Sequence, residues 1–378
     1  MRIHSNQKFM SKILITGGAG FIGSNYVHFR AKKYPNDEIV VLDKLTYAGN
    51  LDNIASLLDD EFLPGKAENG GKAQEQAIQH FDHAAVRFIQ GDIADQKFIN
   101  QLFATEKFDI IVNFAAETHV DRSIIDPHIF VQTNILGTHN LLLASRENKV
   151  QRYHQISTDE VYGDLGTGSK DYFTEKTPIN PNCPYAASKA AADLLVQSYF
   201  ETYKMPITIS RCSNNYGPYQ FPEKLIPFFF RLASQDKPLP VYGDGLNVRD
   251  WLYVEDHCSA IDLIVQSKNY GEVYNIGGHN EYTNLEITSH VLKFLGKSAD
   301  LITFVEDRRA HDRRYAMDPS KIEHELGWQP SVTFDEGIQK TFQWYEKNQK
   351  WVNNLVEREH SSLKEFKVVS KAPQPTTR

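Results

Sequence analysis

Cysteine is scarce in this 378-residue chain: Cys183, Cys212 and Cys258 stand far apart and make an odd number. That pattern excludes the usual spacing of a zinc site and any disulfide framework, and it fits reduced thiols in a cytoplasmic protein with no metal. Positive charge is in deficit as well. Lysine and arginine number 41 against 48 acidic residues, a formal net charge of -7. The overall charge therefore draws the chain neither to nucleic acid nor to an anionic membrane, and an anionic ligand has to be met by local cations. Long apolar runs are also missing. None approaches the ~18 residues that span a bilayer, and Met1 to Met10 is polar, without the apolar centre of a signal peptide. No internal repeat is visible.

What is present is a 41% hydrophobic composition, enough apolar residues to fill two lobes. Lys12-Ile13-Leu14-Ile15-Thr16 reads as a short strand that runs into Gly17-Gly18-Ala19-Gly20-Phe21-Ile22-Gly23 and then into a helix from Ser24 to about Lys33. Further strands are expected at 38–42, 86–89, 109–114 and 153–157, with helical patterns between most of them. The first half thus predicts an α/β fold, a doubly wound parallel sheet with helices on both faces. Residues 59–82, rich in Gly, Lys, Glu and Gln, read as an exposed insertion. Beyond residue 210 proline and glycine become frequent, which predicts a smaller mixed α/β lobe. From about Lys347 the chain is polar and reads as a flexible tail.

Gly18-x-Gly20-x-x-Gly23 sits between a strand and a helix, the context in which such glycines let the backbone approach a pyrophosphate at the helix N-terminus. Asp43 ends the second strand twenty positions after Gly23, where a carboxylate accepts hydrogen bonds from both ribose hydroxyls and repels a 2'-phosphate. This favours NAD over NADP. Lys44, a cation that could tolerate a phosphate, weakens the preference. The glycines alone would also suit a turn with no ligand; strand, helix and Asp43 in register favour the dinucleotide. Asp92 and Ile93, and then Ala115-Ala116-Glu117, fall at later strand ends, where a doubly wound sheet keeps its ligands.

Tyr185 and Lys189 are four apart on an expected helix and so share a face. A lysine beside a tyrosine favours the phenolate, and Tyr185 is expected to be a general base of lowered pKa. Thr158-Asp159-Glu160 follows the strand at 153–157, so its side chains emerge on the cofactor's rim. Adjacent carboxylates shielded from water repel, and at least one is expected to hold its proton at neutral pH. Spacing alone leaves open a bland alternative, in which the acidic pair merely opens a turn.

Read together, Thr-Gly-Gly-Ala-Gly-Phe-Ile-Gly at 16–23, Ala-Ala-Glu-Thr-His-Val-Asp-Arg-Ser at 115–123, Ser-Thr-Asp-Glu-Val-Tyr-Gly-Asp at 157–164 and Tyr-Ala-Ala-Ser-Lys at 185–189 resemble the dTDP-glucose 4,6-dehydratases. The likeness continues through 212–227, 249–257, 274–281 and 307–316. It implies the Rossmann fold of the extended short-chain dehydrogenases: an NAD-binding domain of 11–213 with 250–273, and a nucleotide-sugar lobe of 214–249 with 274–346. The Thr-Asp-Glu triplet discriminates best, since related epimerases and decarboxylases generally carry small hydroxyl residues where Asp159 stands.

The resemblance implies that Tyr185, supported by Lys189, takes the O4 proton of dTDP-glucose while a hydride leaves C4 for NAD. Glu160 then removes the C5 proton, Asp159 protonates the departing O6, the hydride returns to C6, and Thr158 steadies O4. It places NAD on Gly17, Gly20, Phe21, Ile22, Gly23, Asp43, Lys44, Leu45, Thr46, Asp92, Ile93, Ala115, Ala116, Glu117, Thr133, Tyr185, Lys189 and Asn215. It places the nucleotide sugar on His119, Thr158, Asn214, Glu223, Lys224, Pro240, Val241, Tyr242, Arg249, Asn284 and Arg308. It also implies a homodimer paired through helices near 127–147 and 185–203. Two departures stand out: the long insertion, and Arg309-Ala310 where the family has Pro-Gly, which bears on thymine against uracil selection. The alternatives are a UDP-sugar 4,6-dehydratase or C4 epimerase, and, from another class, a non-catalytic NAD-binding sensor.

Overall fold

A computed structural model describes residues 11–58, 84–307 and 311–358. The expected insertion at 59–82, the extension 1–10 and Arg308 to Ala310 lie outside the described residues.

The first half alternates strand and helix: β1 (Lys12–Thr16), α1 (Phe21–Lys33), β2 (Glu38–Asp43), β3 (Ala85–Gln90), α2 (Gln96–Thr105) and β4 (Ile110–Asn113). Then come α3 (Val120–Ile125), α4 (His128–Phe130), a π-helical turn (Val131–Gly137), α5 (Thr138–Glu147), β5 (Arg152–Thr158), a 3-10 turn (Asp159–Tyr162), α6 (Pro184–Tyr203) and β6 (Ile207–Cys212). The second half holds β7 (Asn214–Tyr216), α7 (Leu225–Ser234), β8 (Leu239–Tyr242), β9 (Val248–Tyr253), α8 (Val254–Gln266), β10 (Val273–Ile276) and β11 (Glu281–Thr283). It ends with α9 (Asn284–Leu295), β12 (Ile302–Val305), α10 (Ser320–Leu326), α11 (Phe334–Lys347) and a helical segment over 349–358.

Seven strands form one parallel sheet in the order β10-β6-β5-β4-β1-β2-β3. The order reverses beside β1, so a crevice opens at the carboxyl ends of β1 and β4. Neighbouring residues of one strand face opposite layers: Leu14 packs in the core under α2, α5 and α6, whereas Ile13 and Ile15 pack in the core under α1 and α8. These strands are apolar on both faces because both are covered. The fold is thus the doubly wound α/β sheet of the extended short-chain dehydrogenases. β10 pairs with β6 and extends this sheet beyond the boundary at 273 drawn from the sequence. Only four residues long, it carries too little pattern to be read beforehand.

The smaller lobe contains a three-stranded sheet, β11-β9-β7, and a two-stranded one, β12-β8. Its core is aromatic, with Phe230 and Phe342 stacked at 5.3 Å between centroids. Capping boxes fix the starts of α9 (Thr283 with Glu286) and α11 (Thr333 with Glu336). The flexible tail expected from Lys347 is corrected over 347–358. That stretch is helical and buries Trp351, Val352 and Leu355 in the smaller lobe's core. Among polar neighbours, three apolar side chains at spacings of one and three suffice to seat a short helix. Among the described residues no helix is long and apolar enough to cross a membrane, and no cluster of His, Cys, Asp and Glu could hold a metal ion.

Candidate active site

A cleft of about 320 Å³ opens along the strand ends at the switch in strand order. One end is built by the glycine turn. Gly17 adopts φ +66°, and a Cβ there would lie 2.6 Å from Ala115 N; a Cβ on Gly23 would lie 2.3 Å from Gly17 O. Only bare backbone allows α1 to approach β1 so closely. α1 starts after Gly20 without a side-chain cap, so its first N–H groups face outward as an anion cradle. Asp43 closes the same end. Its Oδ2 accepts from Ala19 N–H at 3.0 Å and its Oδ1 from Leu45 N–H at 2.8 Å. Burial raises its pKa, and those two bonds oppose the rise. Lys44 Nζ lies 2.7 Å from Asp92 Oδ2, an ion pair that partly occupies this cation.

The turn, the uncapped helix start and the buried carboxylate fit a dinucleotide. Gly17, Gly20, Phe21, Ile22, Gly23, Asp43, Lys44, Thr46, Asp92, Ile93, Ala115, Ala116, Glu117 and Thr133 all line the cleft. Thr133 comes from the π turn, and the adjacent Asn134 fixes the floor. Asn134 Oδ1 accepts from Glu117 N–H at 2.9 Å, while its Nδ2 donates to Glu117 O and to Ser188 Oγ. Leu45 is outside the cleft wall; its part is the backbone bond to Asp43. Asn215 lines the cleft, and its Oδ1 lies 2.8 Å from His257 Nδ1.

The other end gathers the ionisable side chains. Thr158 ends β5, and Asp159 and Glu160 open the 3-10 turn that follows, as Tyr185 and Lys189 approach from α6. All five line one cleft. Thr158 Oγ1 donates to Asp159 Oδ1 at 3.2 Å and accepts from Glu160 N–H at 3.3 Å. The carboxyl of Asp159 is buried, its Oδ2 lacks a hydrogen-bond partner, and its pKa is pushed well above the carboxylate range, first by burial and then by Glu160's charge. Arg249 pulls the other way but does not win.

Tyr185 departs from expectation. Burial drives its phenol well above the ordinary value and Glu160 adds to the rise, against a hydrogen bond with Thr158. Lys189 does not counter this. Its Nζ donates to Ile156 O at 2.6 Å, and burial lowers its own pKa while Asp193 opposes the fall. The i,i+4 spacing shares a helix face, but the ammonium is committed to a strand-end carbonyl.

The residues expected to meet the substrate fall into two groups. Asn214, Glu223 and Lys224 line the cleft. His119 caps α3, and its Nε2 lies 3.3 Å from Glu223 Oε2, so it meets the site through that carboxylate. Pro240, Val241 and Tyr242 form β8 beyond the cleft wall, and the Val241 side chain lies in the smaller lobe's core. Asn284 opens α9, its N–H donating to Asn247 O at 3.1 Å. Arg249 is buried, bonded to Val248 O and Asp312 O, with its guanidinium 4.3 Å from the Tyr315 ring centre. Sequence reasoning missed Tyr315, whose phenol bonds Asp312 and is raised by burial and by Glu160. It also missed Tyr47, Cys212 and Gln220, which line the cleft. Tyr315 stands inside the 307–316 motif, and that motif was the signal available.

A family model described as GDP-mannose 4,6 dehydratase matches residues 14–341. A dTDP-glucose 4,6-dehydratase of Neisseria meningitidis serogroup B is 46% identical over 367 residues, covering 92% of this chain and 96% of that one. The low-salt glycan biosynthesis protein Agl12 of Haloferax volcanii is 48% identical over 333 residues, covering 88% and 98%. Among solved structures, a Bacillus anthracis dTDP-glucose 4,6-dehydratase in complex with NAD superposes with a TM-score of 0.79 at 45% identity, covering 91% of this chain and 99% of that one. Cleft, cofactor cradle and acid pair thus sit in a chain that matches these enzymes along nearly its whole length: it belongs to the dTDP-glucose 4,6-dehydratases of the nucleotide-sugar 4,6-dehydratase family.

Proposed function

We propose that the chain is an NAD-dependent hydro-lyase that converts dTDP-glucose to dTDP-4-keto-6-deoxyglucose and water. The observation that carries this reading is buried Asp159 and half-buried Glu160 beside Tyr185, two adjacent carboxyls in unequal environments.

The glycine turn, the α1 N-terminus and Asp43 would hold NAD, which would supply the hydride acceptor for C4 and the hydride donor for C6. The phenolate form of Tyr185 takes the O4 proton as C4 is oxidised. Burial and Glu160 oppose that form, and the positive charge of a bound nicotinamide would favour it. The resulting 4-keto group acidifies C5, and Glu160 takes the C5 proton. Asp159, whose proton is held by burial and by Glu160's charge, gives that proton to O6 as the C6–O6 bond breaks, and water leaves. Once C6 is reduced, Glu160, its proton exchanged with solvent, protonates C5. Tyr185 ends one proton richer and Asp159 one poorer; exchange of that proton resets the site.

Lys224, exposed at the cleft, and Arg249, deeper behind Asp159, are the cations that meet the diphosphate and the sugar end. A homodimer is the proposed assembly. Val131 and Leu136 are exposed on the π turn and Leu194 is 55% exposed on α6, apolar side chains on the two expected helical regions. The three free thiols, two of them buried, support a cytoplasmic location.

The test is turnover of dTDP-glucose and UDP-glucose without added NAD, followed by the ultraviolet absorbance of the product in strong alkali. A 4-keto-6-deoxy product from dTDP-glucose is expected. A 4-epimer, or no product with bound NAD present, would overturn the assignment.

A further inference from the structure

The helical segment 349–358 reaches the cofactor end of the cleft from behind. The indole N–H of Trp351 donates to Asn53 Oδ1 at 2.9 Å, and Nδ2 of the same buried amide donates at 2.9 Å to Ala19 O, inside the glycine turn. Ala19 O also accepts from Asn50 N–H at 3.0 Å. At the segment's other end, Arg358 Nη2 lies 2.9 Å from Gly49 O, 3.2 Å from Thr46 O and 3.4 Å from Tyr47 O.

Those carbonyls belong to a loop whose residues line the cleft. The loop is pressed against the ribose carboxylate: a Cβ on Gly49 would lie 2.8 Å from Asp43 Oδ1. It also carries Leu45 at φ +57°, a left-handed conformation that a leucine adopts only when its surroundings impose it. The indole is itself fixed by the smaller lobe, with ring centres 5.0 Å from Trp344 and 6.1 Å from Tyr219.

We propose that segment 349–358 is a positioning element for the bound dinucleotide. Trp351 acts through Asn53 on the glycine turn, and Arg358 acts through three carbonyls on the loop after Asp43, so that the smaller lobe grips the NAD cradle from outside. Neither side chain lines the cleft. The inference rests on NAD as the cofactor of this cleft and adds what retains it.

The test measures exchange of bound NAD for isotopically labelled NAD in the intact chain. Trp351→Phe keeps a ring in the aromatic cluster and deletes one donor; Arg358→Gln changes an exposed residue and stays informative if the tryptophan variant does not fold. Each is expected to speed NAD release roughly three- to tenfold, the span of a lost hydrogen bond. The kcat at saturating NAD should be unchanged, and amide exchange over 44–50 should accelerate. Release rates within about twofold of the parent chain in both variants would overturn the proposal. So would a fall in kcat that saturating NAD does not restore, which would place the segment in catalysis rather than retention. A parent chain that carries and takes up no NAD would instead overturn the cofactor assignment beneath it.

Discussion

Asp159 is buried directly beside Glu160, and the charge of the second adds to burial in keeping the first protonated. A proton donor and a proton acceptor thus stand next to each other at the end of β5. Replacing Asp159 with Asn keeps the shape and removes the transferable proton. The variant should still oxidise C4, while dehydration falls about 10²- to 10⁴-fold. Single-turnover traces would then show reduced cofactor accumulating. Dehydration at the parent rate would remove Asp159 from the acid role.

The same pair predicts how stability varies with pH. A folded pKa above the unfolded one means that the folded chain holds the proton more tightly. Its stabilising contribution is therefore present below the unfolded value and is lost as pH rises through the folded one. Asp159→Asn should melt a few degrees higher than the parent chain near neutral pH, with the gap closing toward about pH 4. Calorimetric scans across that window check it; a gap that widens in acid contradicts the raised pKa.

Gly23→Ala would place a Cβ 2.3 Å from Gly17 O and 2.9 Å from Gly18 Cα, both backbone atoms that cannot swing away. The turn must open, and NAD affinity should fall about ten- to a hundredfold. The ratio of absorbance at the nucleotide and protein bands after gel filtration reads it directly. Full retention of NAD would mean that the turn is not the cradle.

Arg211 and Asp193 form a buried pair behind the site. Arg211 Nε donates to Asp193 Oδ2 at 2.9 Å, and Ser157 Oγ donates to the same oxygen at 3.0 Å. Asp193→Ala would leave the guanidinium buried without its partner and should cost about 3–5 kcal/mol in urea unfolding. A loss below about 1 kcal/mol would show that water or another group takes the carboxylate's place.

The first two strand ends and the glycine turn were legible because each is fixed by local pattern: the turn from Gly17 follows the apolar run at 13–15, and Asp43 follows that at 39–42. The electrostatics of Tyr185 were not. Its i,i+4 relation to Lys189 is local, whereas burial and the bond from Lys189 to Ile156 O depend on how α6 lies on β5. The helix over 349–358 was hidden for a similar reason. Trp351 finds its partner in Asn53, 298 positions away, and the polar residues around it look like tail. Tyr315 lies in the 307–316 motif, but its packing against Tyr162 and Phe173 is set by residues far away in the chain.

The central claim is that hydrogen leaves C4 and returns to C6 of one sugar while the carboxylates handle only protons. dTDP-glucose deuterated at C4 should therefore yield product bearing deuterium at C6, and turnover of unlabelled substrate in deuterated water should label C5 alone. Loss of the C4 deuterium to solvent, or solvent deuterium at C6, would contradict the account.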